Sequence, residues 1–120
     1  MKAGIVIHLM NFLVDPTGGM IDEALSLLSI LAGNPEGKIV IAQSEPIPPL
    51  VEVIKTGSPR NRENAAAILW LLCSADTEQT LAAKAAGVED ALKELSETGT
   101  DRAKRKASSI LELMRQANEA

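Results

Sequence analysis

The sequence predicts an all-α solenoid built from nearly three copies of one helical unit, and three observations carry that reading. The first is repetition. Gly4, Glu45 and Gly87 recur at offsets of 41 or 42 residues, as do Leu9, Leu50 and Leu92, and Ala24, Ala65 and Ala107. Leu27, Ile68 and Ile110 keep the same register, with Leu28, Leu69 and Leu111, and Leu31, Leu72 and Met114. The second is periodicity, since the apolar residues of each copy fall three and four apart, the spacing of one helix face. The third is composition: 46% of residues are hydrophobic but only 2% are aromatic, so the apolar mass is Leu, Ile, Val and Ala, which suits helix packing better than a sheet.

Each element follows from local signals. The apolar run from Gly4 to Val14 predicts a first helix, ended by the turn Asp15-Pro16-Thr17-Gly18-Gly19. A long helix carrying Ala24, Leu27, Leu28 and Leu31 comes next, and Asn34-Pro35 opens a short one that ends near Ser44. In the middle unit Pro46, Pro48 and Pro49 lead into a helix from Leu50 to Thr56, because the missing N–H of proline has no helical partner in a first turn. Gly57 stops that helix. Ser58 is then an N-cap followed by Pro59 at the first helical position, and Arg60 to Ser74 forms the long helix. Asp76 or Thr77 caps the next short helix, whose end is marked by Gly87.

In the last unit Thr98-Gly99-Thr100-Asp101 plays the part of Thr56-Gly57-Ser58-Pro59. The apolar pattern stops at Met114, and Arg115 to Ala120 is polar enough to close the stack against water. The expected units are 4–45, 46–87 and 88–116. The first lacks the short helix that precedes the corresponding place in the others. Ile5, Val6, Ile7, Leu9, Met10, Phe12 and Leu13 are also too many for one buried stripe. An exposed apolar patch is therefore expected near the N-terminus, favouring a homodimer through that face or marking a piece of a longer array.

Charge and cysteine usage narrow the function. A formal charge of −4 makes neutralisation of phosphates a poor main task, so nucleic acid is not an expected partner. The single cysteine, Cys73, excludes an intrachain disulfide and points to a reducing compartment, so a cytoplasmic or nuclear protein is expected. The apolar run near the N-terminus is too short to span a bilayer and is interrupted by His8 and Asn11, so no membrane partner is expected.

With the units aligned, Gly-x-x-x-x-Leu, a turn, then Ala with Leu three to four residues on resembles the armadillo repeat. Pro46-Ile47-Pro48-Pro49-Leu50-Val51-Glu52-Val53-Ile54, the stretch from Gly57 to Ala66, and Gly99-Thr100-Asp101-Arg102-Ala103-Lys104-Arg105-Lys106-Ala107 are similar to the armadillo array of plant U-box ubiquitin-protein ligases of the spotted-leaf type. The likeness covers roughly Asn11 to Met114. It implies an armadillo-type right-handed α-solenoid with an incomplete first repeat. It also implies a role in the ubiquitin conjugation pathway, in which the array binds substrates or regulators while an upstream U-box recruits the conjugating enzyme. No U-box occurs in this sequence, so the chain itself is not expected to be an enzyme.

The resemblance implies that the long helices line a groove, and helical spacing says which side chains share that face. The stripe is Asp22, Ser26, Ser29 and Gly33, then Glu63, Ala67, Trp70 and Ser74, then Arg105, Ser109, Glu112 and Arg115. The candidate protein-binding residues are Arg60, Glu63, Asn64, Trp70, Arg102, Arg105 and Glu112. Trp70 is the most suggestive, because its equivalents are Ser29 and Glu112 and a large aromatic at a polar position repays burial against a partner; its structural alternative is a ring lying flat over aliphatic stems. Importin-like armadillo proteins carry a Trp and an Asn four apart on this helix, where this sequence has Ser26 and Ile30, Ala67 and Leu71, and Ser109 and Leu113. That disfavours a carrier of basic peptides.

The run Arg102, Lys104, Arg105, Lys106 reads chiefly as a solvated face, with Glu94, Glu97 and Asp101 close enough in sequence to offset it. Chemistry finds no support. His8 has no nucleophile or carboxylate at a useful spacing, Cys73 reads as a buried structural thiol, and the pairs Asp22-Glu23 and Glu89-Asp90 diverge on a helix. No metal, cofactor or catalytic residue is expected. The reading is a protein-interaction module, with a self-associating scaffold unrelated to ubiquitin transfer as its alternative.

Overall fold

The computed structural model describes residues 3–15 and 18–119. Helices run in the order α1 (Ala3–Leu13), α2 (Ile21–Ala32), α3 (Pro35–Gln43), α4 (Ile47–Thr56), α5 (Pro59–Ala75), α6 (Thr77–Ala85), α7 (Glu89–Thr98) and α8 (Asp101–Glu119). No strand occurs among the described residues. The long helices α2, α5 and α8 pack side by side, and α1, α4 and α7 each pair with the long helix that follows. The short α6 touches α4, α5 and α8, so it carries the chain from one unit to the next.

The predicted caps are made as the letters suggest. Asn34 Oδ1 accepts from the N–H groups of Glu36 and Gly37 at 3.0 and 3.2 Å, and Asp76 Oδ1 accepts from Glu78 N–H at 2.9 Å. Ser58 Oγ accepts from Asn61 N–H at 3.2 Å, and 42 residues later Thr100 Oγ1 accepts from Ala103 N–H at 3.1 Å. Each satisfies an N–H that a helix start leaves without an internal partner.

One local expectation is corrected, and two others gain detail. The helix of the middle unit starts at Ile47 rather than Leu50, with Pro48 and Pro49 inside its first turn, where their missing N–H groups break no bond. Gly57 ends it with ordinary extended backbone, φ −75° and ψ 171°. The need for glycine there is spatial, because a Cβ would lie 2.6 Å from the carbonyl oxygen of Val53; at the equivalent Gly99 it would lie 2.7 Å from that of Leu95. Finally, α8 continues beyond the apolar pattern to Glu119, helped by the ion pair of Glu112 with Arg115 on its exposed side. Pro16 and Thr17 of the first turn lie outside the described residues.

Burial shows that matching letters occupy matching places. Leu28 and Leu69 are buried, whereas Leu111 is half-buried; Ile68 and Ile110 are fully buried, whereas Leu27 is 47% exposed. The two positions face opposite neighbours along the stack, so each loses its cover at one end. The apolar patch expected near the N-terminus is present: Val6, Leu9, Met10 and Leu13 face the core, while Ile5, Ile7, Val14 and Leu27 stay exposed.

Candidate protein-binding face

α2, α5 and α8 stack side by side, so equivalent positions within the predicted stripe and beside it form rows repeated at the sequence offset. One row is Asp22, Glu63 and Arg105; another is Ser29, Trp70 and Glu112; a third is Ile30, Leu71 and Leu113. The stripe is less uniformly solvated than its letters suggested. Ala67 is buried and Trp70 is half-buried against the core, because α5 is flanked on both sides and its neighbours close over the smaller and flatter groups.

Every candidate residue has a defined setting. Arg60 is exposed and lines an open hollow of about 430 Å³ with Asp22, Glu23, Ser26 and Leu27. Glu63 is half-buried and accepts a hydrogen bond at 2.8 Å from the hydroxyl of Thr100, which tethers α5 to the start of α8. Asn64 is half-buried, and Arg102 and Arg105 are exposed. Glu112 is exposed and engaged along its own helix by Arg115 and Gln116; the hydrogen bond from Arg115 holds its carboxyl below the usual carboxylate range. Its carboxylate is therefore a committed group.

Trp70 joins both readings the sequence left open. Its ring is partly covered by the core, and the ammonium of Lys106 sits 4.2 Å from the ring centroid. Such a cation–π contact contributes about 0.5–1 kcal/mol at an exposed site, enough to orient the ring without locking it. Lys106 belongs to the run assigned above to a solvated face.

The acidic neighbours of that run do not form ion pairs with it among the described residues. Glu94 lies 3.4 Å from the Arg62 guanidinium, and among the described residues no carboxylate is within ion-pair distance of Arg102, Lys104, Arg105 or Lys106. Arg62 was not singled out from the sequence, although it matters to the geometry. Its Nε donates to the Ile54 carbonyl at 2.8 Å, so one side chain joins the end of α4, α5 and α7. No sequence signal marks it beyond an arginine a few residues into a helix.

His8 is exposed on α1. Cys73 is buried, and burial pushes its thiol up to about 11 from 9.0. Among the described residues no helix is long and apolar enough to cross a membrane, and no three His, Cys, Asp or Glu side chains group so as to hold a metal.

Comparison with known proteins agrees with this geometry. The family described as armadillo/beta-catenin-like repeat matches residues 34–74. U-box domain-containing protein 12 of Oryza sativa subsp. japonica is 98% identical over 105 residues, covering 88% of this chain and 17% of that protein. U-box domain-containing protein 14 of Arabidopsis thaliana is 64% identical over 99 residues, covering 82% and 16%. The chain thus spans about a sixth of the length of these curated relatives. Among solved structures, the designed armadillo repeat protein YIII(Dq)4CqI superposes with a TM-score of 0.80 at 26% identity, covering 92% of this chain and 47% of that one. A second design, YIII(Dq.V1)4CPAF in complex with peptide (KR)4, gives 0.76 at 22% identity over 92% of this chain and 47% of its own. The chain is an armadillo-repeat solenoid related to plant U-box domain-containing proteins.

Proposed function

We propose that this solenoid is a noncovalent recognition module, the substrate- or regulator-binding part of a protein related to plant U-box ubiquitin ligases, with its binding surface on the shared face of α2, α5 and α8. The observation that carries the reading is Trp70. It is half-buried with the Lys106 ammonium over its ring, and exposed arginines stand on its own helix, at Arg60, and on the next, at Arg102 and Arg105. Aromatic and arginine side chains of this kind dominate interface energetics.

Affinity capture with the wild-type chain and Trp70→Ala, followed by hydrogen exchange on the captured complex, tests it. Slowed exchange on α5 and α8 with weaker capture by the variant is the expected result. Slowing confined to α3 and α6 would overturn it.

A second reading is favoured by the exposed Ile5, Ile7 and Leu27, namely a scaffold that self-associates through this apolar end. Sedimentation over a range of concentrations distinguishes it. A dimer lost on Leu27→Asp supports self-association, and a monomer throughout removes it.

A further inference from the structure

The basic run of α8 is out of place as a merely solvated face. Arg102, Lys104, Arg105 and Lys106 lie in the first six residues of the helix, where the macrodipole is positive, and no carboxylate pairs with them among the described residues. Concentrating cations there costs stability; among the described residues the nearby Asp101 and Glu97 form no ion pair with them, and Glu94 and Glu63 are turned elsewhere, to Arg62 and Thr100. Lys106 is in addition held over the Trp70 ring. A positive field with an apolar, orientable aromatic beside it is what the shared face presents at this end.

We infer that the α8 end of the shared face recognises an acidic, extended segment of a protein partner, whose carboxylates meet Arg102, Arg105 and Lys106 and whose next apolar side chain settles against Trp70 and Leu71. The inference rests on the shared face being the binding surface and adds the chemistry of what binds there. Adjacent packed helices lie about 10 Å apart, a span crossed by about three residues of extended chain. An acidic cluster over α8 therefore places a side chain about three positions away over α5.

The row at which the backbone-gripping amides of importin-like proteins would stand is here Ile30, Leu71 and Leu113, so recognition falls to side chains. A nucleic-acid strand fits poorly. The same face carries Asp22, Glu63 and Glu112, which repel a continuous line of phosphates, whereas a short acidic block avoids them.

Trp70 is the only tryptophan of the chain, so its emission reports the site directly. The test uses a labelled peptide with a run of glutamates and a leucine about three residues on, beside versions with the glutamates replaced by glutamine or by lysine. The acidic peptide is expected to shift Trp70 emission. It should bind about tenfold or more tightly than either control, and weaken as salt shortens the range of charge attraction. Arg102→Glu combined with Arg105→Glu should remove that preference with helicity unchanged by circular dichroism, and Lys106→Gln alone should reduce it.

Equal binding of the acidic and glutamine peptides, with the Trp70 shift intact, would overturn the acidic specificity while leaving the shared face as the binding surface. Binding seen by anisotropy with no change at Trp70 would overturn both. Absence of binding by every peptide, or a single-stranded RNA that displaces the acidic one at equal charge, would overturn the inference.

Discussion

Glu45 and Gly87 occupy the same place in successive units, and both hold left-handed backbone, with φ of 55° and 79°. Each lies in the short connection between a short helix and the helix that follows it. Glycine adopts this conformation freely, whereas a residue with a Cβ strains there by about 1–2 kcal/mol. Glu45→Gly is therefore expected to leave stability unchanged or raise it by up to about 1 kcal/mol, the gain being reduced by the freer unfolded chain. Gly87→Ala should lower it by about 1–2 kcal/mol. Urea unfolding of the two variants checks the opposite signs; a clear loss in Glu45→Gly would show that its side chain makes a contact the backbone argument omits.

Asn61 is buried in α5, and its Oδ1 has no hydrogen-bond partner. The residue 42 positions later, Ala103, fills the equivalent place in α8 and is buried without such a cost. An unsatisfied buried acceptor costs about 1–3 kcal/mol, and alanine is also the better helix former. Asn61→Ala is expected to stabilise the chain by about 1 kcal/mol in thermal or urea unfolding. Destabilisation would mean that Asn61 is satisfied in solution by a water.

Arg62 should matter to stability far more than its ion pair suggests. Its side chain is only 16% exposed and closes the end of α4 through the Ile54 carbonyl, while Glu94 is 65% exposed. A hydrogen bond from a charged group contributes about 1.5–3 kcal/mol, an exposed pair less than about 1. Arg62→Ala should cost about 2 kcal/mol and Glu94→Gln almost nothing. Equal losses would place the energy in the ion pair instead.

Cys73 should resist alkylation while the chain is folded. A thiol raised to about 11 by burial holds roughly a hundredfold less thiolate at neutral pH than one at 9.0, and it is shielded as well. Between these values the unfolded chain has lost a proton that the folded chain keeps, so this group makes stability fall as pH rises from about 9 towards 11. Labelling with a maleimide at neutral pH should follow global unfolding. Rapid labelling without denaturant would show that the end of α5 opens locally.

How much was legible in the letters depends on whether the interaction is local. The caps Asn34, Ser58 and Asp76 could be read because an N-cap reaches only two or three residues along the chain. The stack itself was legible because a repeated offset forces equivalent apolar positions into one seam. By contrast, Lys106 over Trp70, Thr100 on Glu63 and Arg62 on Glu94 join residues 32 to 37 apart. Their meeting depends on how far each helix is rotated about its axis, which no spacing in one segment reports. Glu94 illustrates the point: its proximity in sequence to the α8 run said nothing of its pairing with Arg62.

The sequence by itself determined that this protein is a helical solenoid and, to within a few residues, where its helices begin and stop, since periodicity, prolines and capping residues act within a few positions. Only the tertiary structure decided which equivalent letters are covered and which are open, as with Ile68 buried and Leu27 exposed, and which charges are paired, as with Arg62 and Glu94. Burial and ion pairing are properties of neighbours, and a stacked chain supplies neighbours on both sides only to the units between its ends.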